Sequence, residues 1–128
     1  MKNSKTSLTL SLGIIVLLSA FTFANLNSEL INWESKTHDF GIIEKGEPVS
    51  QTFYFTNDSN TAIQIIKTKT SCGCTVSEHS KGEIAAGQKG FIRAEYNAKN
   101  LGAFSKTISV YTSLNESPIL LRIKGEVK

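Results

Sequence analysis

An alternation of apolar and polar side chains is the feature that most limits how this chain can fold. It is clearest from Val49 to Thr56. One parity of this segment is mostly apolar and consists of Val49, Gln51, Phe53 and Phe55. The other parity consists of Ser50, Thr52, Tyr54 and Thr56. Successive side chains of a β-strand point to opposite faces, so this pattern predicts a strand with one buried face.

The same alternation recurs along most of the chain after residue 36. It predicts strands at His38–Ile43, at Ala62–Thr70 and, briefly, at Thr75–Ser77. Three further strands have these predicted inner faces: Ile92, Ala94 and Tyr96; Phe104, Ile108 and Val110; and Ile119, Leu121, Ile123 and Val127. No sustained helical period interrupts them. About seven strands separated by turn residues predict an all-β fold, an antiparallel β-sandwich of residues 37–128, with a small closed barrel as the alternative.

Two lysines break the alternation in the predicted strand Ala62–Thr70. Ile63 and Ile65 point inward, but Lys67 and Lys69 share their parity. We therefore expect either a bulge near Ile66 or a strand end that leaves the core. Lysines in such a place would also protect an exposed sheet edge from pairing with another chain.

The first 24 residues form a separate segment with its own pattern. Lys2 and Lys5 precede an apolar run from Leu8 to Phe23, and Thr22 and Ala24 place small residues at the −3 and −1 positions of a cleavage site. This is the architecture of a signal peptide helix, which we expect to be cleaved after Ala24. An uncleaved membrane anchor is the alternative, although the run is shorter than the roughly 20 apolar residues of a spanning helix.

Cleavage would release a mature chain that is exported, periplasmic or secreted, with no stable membrane span. Residues 25–36 are then a linker or a lead-in strand, in which Trp33 is the side chain that could pack on the domain. Disulfides persist in such a compartment. The location therefore bears directly on the chemistry of the two cysteines.

The charge of the mature chain argues against nucleic acid as a partner. The whole chain has 14 basic and 11 acidic residues, and without Lys2 and Lys5 the balance is nearly neutral. A nucleic-acid-binding domain shows a marked basic excess. Lys106 is unusual because it falls on the buried parity of its strand, and an early position at a sheet edge is the one explanation that the pattern offers.

Both cysteines of the chain lie in one motif, Ser-Cys-Gly-Cys-Thr at residues 71–75. The first hypothesis is a disulfide or redox pair between Cys72 and Cys74. Disulfide Cα atoms lie about 4.4–6.8 Å apart, so residues two apart need a bend, which Gly73 permits. Such a small ring stabilises the fold little and is comparatively easy to reduce. A bond here would thus be a local clamp or a redox element.

The second hypothesis is a soft-metal site for Cu(I) or Zn(II), formed by Cys72, Cys74 and His79. Structural zinc sites usually have four ligands and two to four residues between their cysteines. Here one residue separates the cysteines, and a fourth soft ligand would have to be the distant His38. The spacing therefore disfavours metal. The third hypothesis is two reduced, inert cysteines at the end of a strand.

Catalytic residues are not recognisable in this sequence. His38 and Asp39 are adjacent, but neighbouring strand residues point to opposite faces and do not form a dyad. We find no nucleophile with a base partner and no glycine-rich phosphate loop, so we expect neither an enzyme nor a bound cofactor. Two glycosylation-like triplets begin at Asn57 and Asn115, and we interpret both as turns.

Four segments together resemble a known family. They are His-Asp-Phe-Gly at 38–41, Ser-Cys-Gly-Cys-Thr at 71–75, Gly-Ala-Phe-Ser-Lys at 102–106 and Lys-Gly-Glu-Val at 124–127. They resemble the domain of unknown function 1573 family, Ig-like domains of exported bacterial proteins that are common in the Bacteroidetes. The similarity extends from about Lys36 to Val127. One departure is Ala86-Gly87, where the family often carries Pro-Gly.

The resemblance implies an Ig-like β-sandwich, related to domains of ciliary and centrosomal proteins, and an envelope or secreted location. It implies no activity. We therefore expect an exported, non-enzymatic binding or structural module whose protein partner binds at a strand edge or at loops. A hairpin over Val49–Thr70 and the cysteine turn are the candidate surfaces. The alternative function is a thiol-redox or copper-handling protein that uses Cys72 and Cys74.

Overall fold

The computed structural model describes residues 29–128. The predicted signal peptide, its cleavage after Ala24 and residues 25–28 of the predicted linker therefore lie outside the described residues. The described chain is all-β, and it contains no helix that is long and apolar enough to cross a membrane. Its strands are β1 (Ile31–Trp33), β2 (Thr37–Ile43), β3 (Val49–Asn57), β4 (Ile65–Thr70), β5 (Cys74–His79), β6 (Lys89–Tyr96), β7 (Gly102–Thr112) and β8 (Ile119–Val127).

The strands form two four-stranded sheets that pack as a sandwich, which confirms the predicted fold class. Sheet 1 has the order β1-β3-β6-β5, and sheet 2 has the order β2-β8-β7-β4. The described chain has eight strands, because β1 lies in the segment expected to be a linker or a lead-in strand and adds to the seven expected in the domain. One detail differs from the expectation. The pair β2–β8 is parallel. Alternation could not predict this, because it reveals which face of a strand is buried but not the direction of the neighbouring strand.

The core lies between the two sheets and contains the predicted inner faces. Sheet 1 contributes Phe53, Phe55, Ile92, Ala94 and Tyr96, and sheet 2 contributes Phe104, Ile108, Val110, Leu121, Ile123 and Val127, all of them buried. Trp33 of β1 is buried as well, with its ring centroid 4.7 Å from that of Phe55. Alternation with one apolar parity is thus the pattern that closes this sandwich.

The irregularity predicted around Ile66 is present. The register of β4 against β7 shifts between Ile65 and Lys67, which is a β-bulge, and β4 is an edge strand of sheet 2. Both lysines of the strand are exposed, and their ammonium groups lie 4.7 Å (Lys67) and 5.7 Å (Lys69) from the centroid of the Tyr111 ring. The bulge turns these lysines to the outer face of the sheet.

The expected hairpin over Val49–Thr70 is wrong, because β3 and β4 belong to different sheets. A buried corner at Asn57 carries the chain across the sandwich. The Asn57 Nδ2 atom donates hydrogen bonds to the carbonyl oxygens of Thr61 (2.8 Å) and Ile84 (2.9 Å), and its Oδ1 atom accepts one from the Ser59 amide (3.0 Å). This fully buried side chain is a structural corner, and the fold does not present it for glycosylation.

Candidate functional site

The cysteine motif forms a tight turn that crosses from β4 in sheet 2 to β5 in sheet 1. The Cys74 amide donates a hydrogen bond to the Ser71 carbonyl at 3.1 Å, and Gly73 has a φ of +88°. A positive φ at the third residue defines a type II turn and favours glycine there. The Ser71 hydroxyl fixes the turn to β7, since it donates to the Thr107 carbonyl (3.2 Å) and accepts from the Thr107 amide (3.1 Å).

The two thiols of this turn face different surroundings. Both are free, but Cys72 is exposed whereas Cys74 is 6% exposed and belongs to the core. A disulfide requires Cβ atoms that converge. One thiol is exposed and the other is buried, and the Cys72–Cys74 bond stays a prediction.

The chemistry of Cys74 is dominated by its burial. Burial raises the pKa of the Cys74 thiol above its ordinary value. The Lys106 ammonium lowers that pKa in part, whereas the Cys72 thiol raises it further. Lys106 itself is half-buried. It pairs with Ile123 of β8, whereas the pairing of β7 with β4 begins only at Ile108. No strand residue is therefore paired with Lys106 on the β4 side, which agrees with the expected early position at a sheet edge.

The residues considered for a metal site are not brought together. Cys74 pairs with Tyr96 at one end of β5, whereas His79 pairs with Ile92 at the other end. Five residues of strand correspond to about 16 Å. The His79 ring lies instead beside the Ser80 carbonyl (2.8 Å) and Lys81 Nζ (3.3 Å). Within residues 29–128, no three His, Cys, Asp or Glu side chains are clustered as metal ligands would be.

The His38-Asp39 pair does not form a dyad either. The His38 ring packs edge-on against Phe40, with centroids 4.5 Å apart. The Asp39 carboxylate is exposed and accepts a hydrogen bond from the Gly41 amide at 2.8 Å. His38 therefore packs within its strand, while Asp39 shapes the bulge at Gly41.

Two stacked aromatic rings, Tyr96 of sheet 1 and Phe104 of sheet 2, lie next to the cysteine turn and connect the two sheets. The rings of Tyr96 and Phe104 lie 4.1 Å apart with an interplanar angle of 21°. A β-carbon at Gly73 would lie 3.2 Å from Cε2 of Tyr96, and one at Gly125 would lie 2.9 Å from Cζ of Phe104. The stack thus leaves no room for a side chain at Gly125 without a shift of its neighbours, and only tight room for one at Gly73.

A shallow groove of about 400 Å³ lies over β2, β7 and β8 at this end of sheet 2. Its lining residues are Asp39, Gly41, Ile42, Ala103, Phe104, Ser105, Lys124, Gly125 and Glu126. All of them except Ile42 come from three of the four segments that carry the family resemblance. The fourth segment, the cysteine turn, joins them through Tyr96. Sequence reasoning missed this groove, because its signal, a glycine in each of the three segments, does not reveal that the segments are neighbours.

A match to one protein family over most of the described chain shows which family this protein belongs to. A protein family described as "Protein of unknown function (DUF1573)" matches residues 31–127. The chain belongs to the DUF1573 family. The match begins at the first residue of β1 and ends at the last residue of β8, so the DUF1573 unit coincides with the whole sandwich. Comparison with curated proteins gives no match.

Solved structures resemble this DUF1573 sandwich in fold. The secreted serine protease VesC from Vibrio cholerae has 16% sequence identity and a TM-score of 0.64, covering 78% of this chain and 24% of VesC. A protein of unknown function from Porphyromonas gingivalis W83 has 16% identity and a TM-score of 0.64, covering 76% of this chain and 46% of that one. The ASH / PapD-like domain 7 of human CEP192 has 10% identity and a TM-score of 0.58, with coverages of 77% and 85%.

These likenesses establish the fold of the DUF1573 chain and nothing about its activity. The chain spans about a quarter of VesC and less than half of the Porphyromonas gingivalis protein. An unknown-function family and an Ig-like or PapD-like fold fit a binding or structural module. The groove is one concave surface of the described chain that a ligand could occupy.

Proposed function

We propose that this chain is an exported, non-enzymatic binding module that takes an apolar side chain of a protein partner in the groove over β2, β7 and β8. The observation that carries the proposal is the exposure of Ile42, which is 67% accessible at the wall of that groove. An exposed large apolar side chain beside a concave surface marks interaction sites more often than an isolated one does.

The groove has the composition of a small protein-protein contact. Gly41 and Gly125 are among its lining residues, and the absence of side chains there lets a partner approach the backbone closely. Its rim carries Asp39, Lys124 and Glu126, which are exposed and charged. An apolar centre with a polar rim is the usual anatomy of such interfaces.

The sheet edges support a groove contact rather than the addition of a partner strand. Among the described strands, β1 has three residues, and β2, β4 and β5 each carry a register shift. The edge strand β4 also exposes Lys67 and Lys69. Short edges, bulges and lysines are the means by which proteins prevent edge pairing.

The binding proposal is tested by comparing two variants that each add one charge at an exposed apolar position. Ile42→Glu changes the groove wall, and Tyr54→Glu changes the outer face of sheet 1, where Tyr54 is 46% exposed. Each variant is immobilised and exposed to envelope extract from the native cells. We expect at least one protein to be captured by the wild type and by Tyr54→Glu but lost with Ile42→Glu. Equal capture by both variants would contradict the proposal.

Export is tested separately by the amino terminus of the protein that cells accumulate. We expect a soluble periplasmic or secreted form that begins at Asn25, since the predicted cleavage follows Ala24. A form that retains residues 1–24 and requires detergent for extraction would instead support the membrane-anchor alternative. A cytoplasmic form with an intact leader would contradict export.

A thiol-redox function is the second candidate, and the exposure of the Cys72 thiol favours it. Intact mass with and without reduction and alkylation decides whether cells deliver the protein with a bond or an adduct at Cys72 or Cys74. A disulfide with a potential near those of exported oxidoreductases would support this candidate. Two free thiols, with no copper or zinc by elemental analysis, would exclude both the redox and the copper-handling functions.

A further inference from the structure

The outer face of sheet 2 carries basic side chains from β4 and β8, two strands that are far apart in sequence. The strand register aligns the basic side chains with their neighbours in four rows across the sheet. The rows are Lys67 with Tyr111; Lys69 with Ser109 and Leu120; Thr107 with Arg122 and Thr37; and Ser105 with Lys124 and Asp39. All four cations of these rows are exposed. The strand pairing therefore forms a basic face, which we define as Lys67, Lys69, Arg122 and Lys124.

Within the paired strands of this face, the acidic side chains lie at one end. Asp39 lies 4.0 Å from Lys124 Nζ, and Glu126, one row further along, lies 3.8 Å from Lys128 Nζ. The rows that contain Lys67, Lys69 and Arg122 have no acidic residue. These three cations therefore produce a local positive potential that a neutral overall composition does not suggest.

The same rows expose apolar side chains between the charges. Leu120 is 56% exposed and shares a row with Lys69, while Ile66, beside the bulge, is 59% exposed. The Tyr111 ring lies beneath the ammonium groups of Lys67 and Lys69. Cations interspersed with apolar and aromatic side chains are the composition that binds the interface of an anionic bilayer.

The outer face of sheet 1 provides an internal comparison. Its rows carry Glu78 and Glu95 together with Lys89 and Arg93, so opposite charges are balanced there. The positive excess thus belongs to one side of a flat sandwich. An anionic surface would bind the end of this side that carries Lys67, Lys69 and Arg122 and would leave sheet 1 in solvent.

We propose that the basic face binds the phosphate headgroups of anionic phospholipids at its Lys67, Lys69 and Arg122 end, away from the row that lines the groove, and holds the domain at a membrane surface. Each lysine or arginine near such a surface contributes about 1 kcal/mol. Lys67, Lys69 and Arg122 together therefore strengthen binding by about a hundredfold. Leu120 adds apolar contact at the level of the headgroups. This attachment is reversible and weakens as salt screens the charges.

Vesicle sedimentation tests this proposal with the protein in the form in which cells accumulate it. The probes are phosphatidylcholine vesicles with and without phosphatidylglycerol. We expect binding that requires phosphatidylglycerol and falls with added salt. The triple variant K67Q/K69Q/R122Q should bind about a hundredfold more weakly. L120S should weaken binding at every salt concentration and leave the salt dependence unchanged.

A charge-matched control separates the basic face from net charge. K45Q/K81Q/K99Q removes three exposed lysines that lie in connecting segments outside the strands. We expect this control to retain most of the wild-type binding. Equal losses in the two triple variants, or no dependence of wild-type binding on phosphatidylglycerol, would overturn the proposal. Vesicle binding needs no protein partner, so its failure leaves the proposed groove contact unaffected.

Thermal unfolding shows whether the variants retain the fold. The substituted side chains are exposed, so we expect Tm to stay close to that of the wild type. Binding to a soluble acidic protein or to duplex DNA in place of vesicles would assign the basic face to a different ligand and contradict the membrane proposal.

Discussion

The ring of Phe104 occupies the space in which a side chain at Gly125 would begin. A β-carbon at position 125 would lie 2.9 Å from Cε1 and Cζ of that ring and 2.8 Å from the carbonyl oxygen of Gly41. Phe104 also stacks on Tyr96 of the opposite sheet. This single close approach therefore links β2, β7 and β8 to sheet 1 and forms the inner wall of the candidate groove.

Replacement of Gly125 by alanine tests this approach. The added carbon meets the backbone of Gly41 as well as a ring, and backbone cannot move aside as a flexible side chain does. We expect Gly125→Ala to lower the free energy of unfolding by about 1–3 kcal/mol. Chemical denaturation measures the change. Ser105→Ala, on an exposed neighbour in β7, is the control and should change stability by less than about 0.5 kcal/mol.

Gly73 in the cysteine turn allows the conformational and packing costs of a side chain to be separated. Gly73→Ala should lose about 1–2 kcal/mol from its positive φ and a further amount from contact with Tyr96. Gly46→Ala is the matched control, because Gly46 has a φ of +83° and nothing within 4 Å of an added carbon. If both variants lose the same stability in denaturant titrations, the proposed packing of Gly73 against Tyr96 is wrong.

The two thiols should differ in their rate of alkylation after reduction. Cys72 is exposed, whereas Cys74 is buried and its pKa is raised by that burial, so little reactive thiolate forms there. We expect one fast equivalent of iodoacetamide in the native protein and two in denaturant, measured by intact mass. Cys72→Ser should remove the fast equivalent. Equally fast reaction of both thiols in the native protein would contradict the burial of Cys74.

Burial of Cys74 also makes stability depend on alkaline pH. The raised pKa means that the folded state holds the thiol proton more tightly than the unfolded chain, whose ordinary value is 9.0. This contribution is complete below the ordinary pKa and is lost as the pH rises through the raised pKa of the folded state. We expect the stability difference between wild type and Cys74→Ala to shrink across that range in denaturant titrations. A constant difference would show that Cys74 ionises normally in the folded state.

The buried corner at Asn57 should be among the most sensitive polar positions. Asn57→Ala removes the hydrogen bonds to the Thr61 and Ile84 carbonyls, and it leaves the buried Ser59 amide without its acceptor. Unsatisfied buried groups are costly, so we expect a loss of about 2–3 kcal/mol in the free energy of unfolding. Asn115→Ala, at an exposed asparagine in the connection between β7 and β8, serves as the control and should be nearly neutral. Comparable losses at both positions would contradict the role of the corner.

Local sequence pattern is enough to determine much of this fold. Alternation locates the inner faces of β3, β6, β7 and β8, since burial of one strand face is visible in every second residue. The break at Lys67 and Lys69 correctly predicts a bulge and an edge, because a one-residue slip reverses every side chain after it. Strand β1 is not predictable in this way, since three residues carry no measurable period.

Only the tertiary structure shows which side chains lie next to one another in space. The sequence brought Cys72 and Cys74 together, but it did not show that one thiol is exposed while the other is buried in the core. It placed His79 five residues from Cys74, yet an extended strand holds them at opposite ends. The groove arises from the pairing of β2, β8 and β7, and the basic face arises from the pairing of β4, β7 and β8. The residues of these strands lie far apart along the chain. Alternation fixes which way each side chain points, whereas strand order and register, which fix what stands beside it, come from packing the two sheets together.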